Sequence, residues 1–174
     1  DRTYTININR QAASVNNAGG NNNQNNNNQN NTDVNITSGK YSIGTYITGI
    51  EPGTGAADFV KNIAVSASGT VKLLTSSGSE NGGKIATGNK VAVYDASGNL
   101  KKTYDIVIYG DINGDGAVNA LDMIKLNRHI LGKGTLIGAY LEAADANRKR
   151  DGGNALDMII MNRHILGKSK ISQN

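Results

Sequence analysis

Two clusters of Asp and Asn residues carry the side chains of this sequence that are best suited to chemistry. The first cluster runs from Asp111 to Asp122 and reads DINGDGAVNALD, with acid or amide side chains at positions 1, 3, 5, 9 and 12. Position 6 is Gly116, which permits a sharp turn. Closely spaced oxygens of this kind suit a calcium ion, which takes about six to eight oxygen ligands. The spacing is that of an EF-hand loop, with Asp at position 12 instead of the usual Glu.

The predicted ligands of this first site are side-chain oxygens and one backbone carbonyl. Position 7 supplies the carbonyl, and the residue at position 9 binds directly or through water. Without a cation the carboxylates would repel one another, so the ion would also close the loop. An Asx-rich turn that precedes a helix is the structural alternative. The predicted ligands are Asp111, Asn113, Asp115, Ala117, Asn119 and Asp122.

The second cluster is one residue longer than the first. It reads DANRKRDGGNALD, and the fifth residue from its first acid is Lys149, whose ammonium cannot bind a cation. A bulge at residues 148–150 would still allow four side chains to reach one ion. The three basic residues of that bulge would weaken a cation site, so we expect a lower affinity than in the first loop. The predicted ligands are Asp145, Asn147, Asp151 and Asp157.

Each loop runs directly into a helix, and the two helices are copies of one unit. Residues 119–133 read NALDMIKLNRHILGK and residues 154–168 read NALDMIIMNRHILGK. Such a repeat indicates one supersecondary unit used in tandem, and a short connecting helix is expected over 136–144. The helical period predicts a buried stripe on each copy, where the copies pack together. The stripes are Met123, Leu126 and Ile130, then Met158, Met161 and Ile165.

The opposite face of each helix repeats an apolar side chain beside an arginine. Leu121 and Arg128 in the first copy correspond to Leu156 and Arg163 in the second. An Ala precedes the Leu in both copies, and a helix face exposed only to water does not need such a repeated Ala-Leu pair. An apolar side chain with a charged neighbour is typical of protein interfaces. The pattern therefore predicts a binding surface, with simple duplication as the alternative.

The residues before the first loop predict three segments. Residues 1–10 alternate polar and β-branched or aromatic side chains, as in a strand that ends an upstream β domain. Residues 11–32 are rich in Asn and Gln and predict a flexible linker. Residues 33–109 predict a small β-rich module with a helix over 54–62 and a hairpin turn at 95–99. The expected strands are Val34–Ile36, Tyr41–Ile50, Asn62–Ser66, Thr70–Thr75 and Lys90–Tyr94.

Composition argues against several classes of function. The 174 residues contain no Cys, which removes disulfides, thiol catalysis and thiolate metal sites. The net charge of +4 comes from scattered basic residues with few aromatics, a weak footprint for a nucleic-acid partner. His129 and His164 lack a second ligand at helical spacing, which favours exposed or capping roles over zinc. No apolar run is long enough to cross a bilayer, so we expect no membrane insertion. The sequence begins with Asp1 and not with Met, which favours a piece of a larger secreted protein, and the absence of Cys fits a bacterial exported protein. Paired acids, or a nucleophile beside a base, are not recognisable, so we expect no catalysis in this fragment.

Residues 110–168 resemble a type I dockerin. The resemblance rests on the two calcium loop–helix repeats, the Asn-Ala-Leu-Asp ending of each loop, and the basic helices that end in Leu-Gly. It implies a mixed fold, in which a small mostly-β module packs against an all-α, EF-hand-like tandem domain at 110–170, followed by a tail at 171–174. It also implies two Ca²⁺ ions. The implied partner is a cohesin module of a scaffoldin or cell-surface protein, which would assemble a carbohydrate-active protein into an extracellular cellulosome-like complex.

The resemblance also assigns the recognition positions. Asn127 and Asn162 stand where Lys is common in the family, which leaves the identity of the partner open. Because the two faces are nearly identical, a half-turn would present the same surface, which implies two binding modes. A calcium-stabilised adhesion module with a partner other than cohesin is the alternative function. The implied recognition residues are Ala120, Leu121, Asn127, Arg128 and Leu131, then Ala155, Leu156, Asn162, Arg163 and Leu166.

Overall fold

The computed structural model describes residues 34–174, so the strand expected at 1–10 and the linker expected at 11–32 lie outside the described residues. Within the described range, no helix combines the length and the apolar composition that crossing a membrane requires. The strands are β1 Ile36–Thr37, β2 Ser42–Ile43, β3 Tyr46–Thr48, β4 Ala64–Val65, β5 Thr70–Leu74, β6 Lys90–Tyr94 and β7 Leu100–Ile106. The helices are α1 Ala56–Val60, α2 Ala120–Ile130, α3 Gly138–Ala144 and α4 Ala155–Ile165.

A five-stranded sheet in the order β2-β3-β7-β6-β5 forms the β-rich half of the fold. Its neighbouring strands are antiparallel except for β3 and β7, which are parallel. Strands β1 and β4 pair separately. The apolar face of the sheet and helix α1 enclose one core, in which Phe59 stacks on Tyr41 with ring centroids 5.0 Å apart.

The structure confirms most of the predicted β elements, moves the first from Val34–Ile36 to Ile36–Thr37, and corrects another. The hairpin turn at 95–99 is present, because the Asp95 carboxylate accepts the backbone N–H groups of Ser97 and Asn99, both at 2.9 Å. The single strand expected over Tyr41–Ile50 is wrong. This segment forms two short antiparallel strands, with Ser42 opposite Thr48. Its period of two residues fits a long strand as well as a tight hairpin, so the alternation did not reveal the turn.

A second core lies under the repeated helices. Helices α2 and α4 pack against each other, and Leu126 and Met161 are both fully buried in this core. Met123 and Met158 pack at its edge. Ile130 does not belong to the buried stripe, since its side chain is 39% exposed. It is the last residue of α2.

Residues 171–174 are expected from the sequence to form a tail. In the structure two of their side chains are buried. Ile171 packs in the second core. Gln173 is 3% exposed, and its amide pairs with the backbone of Tyr109: the oxygen accepts the Tyr109 N–H at 2.8 Å and the nitrogen donates to the Tyr109 carbonyl at 3.0 Å. The last residues therefore hold the segment that enters the first acidic loop.

Replacing Gln173 with Ala should destabilise the chain by about 2 kcal/mol, because two buried backbone groups of Tyr109 lose their partners. Equilibrium urea unfolding of the full chain measures this free energy. Ser172→Ala is the matched control, because Ser172 is exposed and its hydroxyl contacts only the adjacent chain terminus. Equal stabilities for the two variants would contradict the structural role of Gln173.

Candidate metal loops and helix surface

Each acidic loop ends in a capping box that begins the next helix. In the first copy, Asn119 accepts the N–H of Leu121 at 2.8 Å, and Asp122 accepts the N–H of Asn119 at 2.9 Å. The second copy repeats these bonds with Asn154 and Asp157, at 2.8 and 3.0 Å. The residues that close each loop therefore also fix the start of its helix.

Asp111 is fully buried at the start of the first loop. One carboxylate oxygen accepts the N–H groups of Gly114 and Asp115, at 2.9 and 3.1 Å, and the other accepts those of Thr87 and Gly116, at 2.8 and 3.2 Å. Burial raises the pKa of Asp111 to about 6, because desolvation outweighs these hydrogen bonds. A bound cation would favour the charged carboxylate.

The first loop gathers its other side chains around Asp111. Asp122 is buried and accepts the N–H groups of Ile112 and Asn113, at 2.9 and 2.8 Å, although desolvation still raises its pKa. Asp115 is exposed and accepts the side-chain N–H of Asn113 at 2.7 Å. Desolvation would raise the pKa of Asp115, but its hydrogen bonds outweigh that effect and lower it.

The remaining predicted ligands of this loop also lie beside Asp115. The N–H of Ala117 donates to Asp115 at 2.9 Å, and a hydrogen bond from the side chain of Asn119 helps to lower the pKa of Asp115. The structure thus brings the six predicted positions of the first loop into one turn.

The backbone hydrogen bonds to the first Asp of each loop match at positions 5 and 6. Lys149 donates its N–H to Asp145 at 3.2 Å, as Asp115 does to Asp111. Arg150 donates to the other oxygen of Asp145 at 2.6 Å, as Gly116 does to Asp111. The extra residue therefore falls within 151–153, and the bulge expected at 148–150 is wrong.

This placement brings Asp151 into a cluster of three acids. The carboxylate oxygens of Asp145, Asp151 and Asp157 lie within 4.8 Å of one another, a geometry that could hold one metal ion. Desolvation raises the pKa of Asp157, and the charges of the other two acids add to the shift. Asn147 joins them through its backbone, whose N–H donates to Asp157 at 2.9 Å. Four predicted ligand residues are therefore together.

The basic residues of the second loop do not neutralise its acids. Arg148 lies over the ring of Tyr109, 5.8 Å from its centroid. Within residues 34–174, the ion pairs closer than 4.0 Å do not involve Arg148, Lys149 or Arg150. The acids therefore remain available to a cation, while the basic charges still act on it through space.

Replacing Lys149 with Asp should raise calcium affinity at the second loop by about tenfold, or about 1.4 kcal/mol. The change removes a nearby positive charge and supplies the acid that Asp115 provides at the same position of the first loop. Calorimetric titration of the metal-depleted full chain with Ca²⁺ measures it. Lys101→Asp makes the same charge change on the exposed end of β7. An equal gain in both variants would mean that net charge, not the loop, sets the affinity.

The outer faces of α2 and α4 leave the predicted recognition residues exposed to solvent. Two further isoleucines that sequence reasoning missed, Ile124 and Ile159, lie on these faces and are each 56% exposed. Their spacing of three residues from Leu121 and Leu156 is the signal that could have found them. The exposed predicted residues are Ala120, Leu121, Asn127, Arg128, Leu131, Ala155, Leu156, Asn162, Arg163 and Leu166.

The two faces differ in their immediate surroundings. Beside α2, a cavity of about 500 Å³ is lined by residues that include Leu121, Ile124 and Leu136. Lys125 is exposed at this cavity, whereas its counterpart Ile160 is partly buried against the helical core. The outer faces of α2 and α4 therefore share their apolar residues but differ in some of the residues beside them.

His129 and His164 are partly buried and hold the segment that follows each helix. Nδ1 of His129 accepts the N–H of Leu136 at 3.3 Å, and Nδ1 of His164 accepts the N–H of Ile171 at 3.1 Å. Both residues thus satisfy backbone groups after a helix end, which agrees with the expected capping role but not with full exposure.

Residues 109–166 match the family described as the dockerin type I domain. This segment is a type I dockerin domain. The match covers 58 of the 174 residues, so the dockerin is one part of the chain. No curated protein and no solved structure matches the chain. The dockerin is a non-catalytic docking module for cohesins, and dockerin domains bind calcium. The acid-lined loops and the exposed twin faces described above both lie within or directly beside this segment.

Proposed function

We propose that this chain docks to a cohesin module of a scaffoldin or cell-surface protein through the outer faces of α2 and α4. The docking assembles a secreted carbohydrate-active protein into a cellulosome-like complex outside the cell. The observation that carries the proposal is the pair of matching apolar faces, each with an exposed Leu, Ile and Arg. Monomeric proteins rarely expose apolar patches of this kind without a partner.

Calcium is proposed to occupy both loops of the dockerin. In the first loop it is held by Asp111, Asn113, Asp115 and Asp122, with the carbonyl of Ala117 and with Asn119. In the second loop it is held by Asp145, Asn147, Asp151 and Asp157. The ion offsets the repulsion among buried carboxylates and thereby fixes the loop that begins each helix.

The two faces are proposed to bind the same partner surface in alternative orientations. Leu121, Ile124 and Arg128 on α2 have direct counterparts in Leu156, Ile159 and Arg163 on α4. Because both sets are exposed, a half-turn of the dockerin presents equivalent apolar anchors to the partner. One cohesin therefore has two ways to bind each dockerin.

Titration of the full chain into a panel of cohesin modules in calcium tests this function. A one-to-one complex with at least one cohesin, in the submicromolar range that specific interfaces reach, is expected. Unrelated β-sandwich surface modules serve as controls. Binding to none of the cohesins, together with binding to one of the control modules, would favour a calcium-stabilised adhesion module instead.

A further inference from the structure

The two loops differ at positions 4 and 6, where residues 85–87 of the β-rich module lie against the first loop. Positions 4 and 6 are Gly114 and Gly116 in the first loop, with φ of 76° and 79°. The same positions are Arg148 and Arg150 in the second loop, with φ of 57° and 59°. The loop backbone thus accepts side chains in this left-handed conformation, so conformation alone does not explain the glycines.

The glycines of the first loop leave room for the β-rich module. A Cβ atom on Gly116 would lie 2.5 Å from the carbonyl oxygen of Ile85, and one on Gly114 would lie 2.9 Å from that of Thr87. Both distances are too short for a real side chain. The backbone at 85–87 therefore packs directly on the turn of the first loop.

Hydrogen bonds join the same surfaces. Thr87 is 1% exposed, and its N–H donates to the carboxylate of Asp111 at 2.8 Å. The N–H of Gly53 donates to the carbonyl of Gly116 at 2.9 Å. The hydroxyl of Thr87 also pairs with the backbone of Ile108, just before the loop. In the second loop, the N–H groups that donate to the carboxylate of Asp145 come from Lys149 and Arg150 of the loop itself.

We propose that calcium binding at the first loop is energetically coupled to the docking of segment 84–88 of the β-rich module, and that the second loop is independent of it. The inference rests on the calcium binding proposed above. Calcium at the first loop fixes the Asp111 carboxylate that Thr87 contacts, so it stabilises the contact. By linkage, the docked module raises the calcium affinity of the first loop by the same factor.

Two variants that place Ala at the same loop position test the coupling. Gly116→Ala introduces the clash with Ile85. Arg150→Ala changes the equivalent position of the second loop, which lies beside Tyr46 and Glu142. Calcium titrations of the metal-depleted full chains should show one site weakened by about tenfold or more in Gly116→Ala. In Arg150→Ala both sites should keep their affinities within about threefold, a change too small to count as coupling. Similar losses in the two variants would overturn the proposal.

Hydrogen exchange of the unaltered chain gives a test that does not depend on how the variants fold. Calcium addition should slow amide exchange at 84–88 together with 111–122. If calcium protects 111–122 and 145–157 but leaves 84–88 unchanged, the coupling is wrong while calcium-dependent docking stands. If the chain takes up no calcium, both proposals fail.

Discussion

Replacing Leu121 and Arg128 with Ala should leave the affinity for cohesin within about threefold of the original, while adding Leu156→Ala and Arg163→Ala should abolish binding. Either helix alone can present a full set of apolar and basic anchors, so losing one face removes only one of two binding orientations. Losing both faces removes the central residues of each orientation. Such residues commonly contribute about 2 kcal/mol or more each, so the fourfold variant should lose more than about 100-fold in affinity.

The measurement is calorimetric titration with a cohesin that binds the original chain. The control variant is Leu100→Ala with Lys101→Ala, which removes an exposed apolar and a basic side chain from β7, away from the dockerin helices. If the change on one face abolished binding, the two orientations would not be equivalent. If the fourfold variant still bound, the outer faces of α2 and α4 would not be the docking surface.

Removing calcium should destabilise the dockerin more than any single substitution considered above. At calcium concentrations about a thousand times the dissociation constant, each occupied site contributes about 4 kcal/mol to stability. The metal-free loops retain buried carboxylates, and desolvation raises the pKa of Asp111, Asp122 and Asp157. Because those same loops begin α2 and α4, loss of the ions should unravel both helices.

Thermal unfolding followed by circular dichroism at 222 nm in calcium and in excess EDTA measures this stability. We expect a decrease of at least about 10 °C in melting temperature in EDTA, since about 1 kcal/mol shifts a domain of this size by several degrees. Magnesium at the calcium concentration is the control, because it prefers a rigid octahedral set of ligands and binds such loops poorly. An identical melting temperature in EDTA and in calcium would contradict the role of the ions.

The sequence predicts the local features of the site well. The predicted ligands of the first loop lie within twelve consecutive residues, so their spacing alone predicts the turn. The boundaries of β6 and the turn at 95–99 likewise depend on residues a few positions apart. Duplication adds a second, nearly identical example of each helix face, which makes the outer surface recognisable.

Features set by contacts between distant segments could not be predicted in the same way. The ligand positions of the second loop can be counted from either end of the loop. The N–H groups of Lys149 and Arg150 show that its extra residue follows position 6. The bond from Thr87 to Asp111 spans 24 residues and leaves no local pattern. Periodicity predicts that Ile130 is in the core, but its side chain at the end of α2 is 39% exposed.

Titration of the full chain with a cohesin in calcium, and again in excess EDTA, tests whether docking depends on the ions. We expect a one-to-one complex in calcium and no measurable binding in EDTA, with binding restored when calcium is returned. Equal affinity in both buffers would contradict the claim that ions in the two loops hold α2 and α4 in the form that docks.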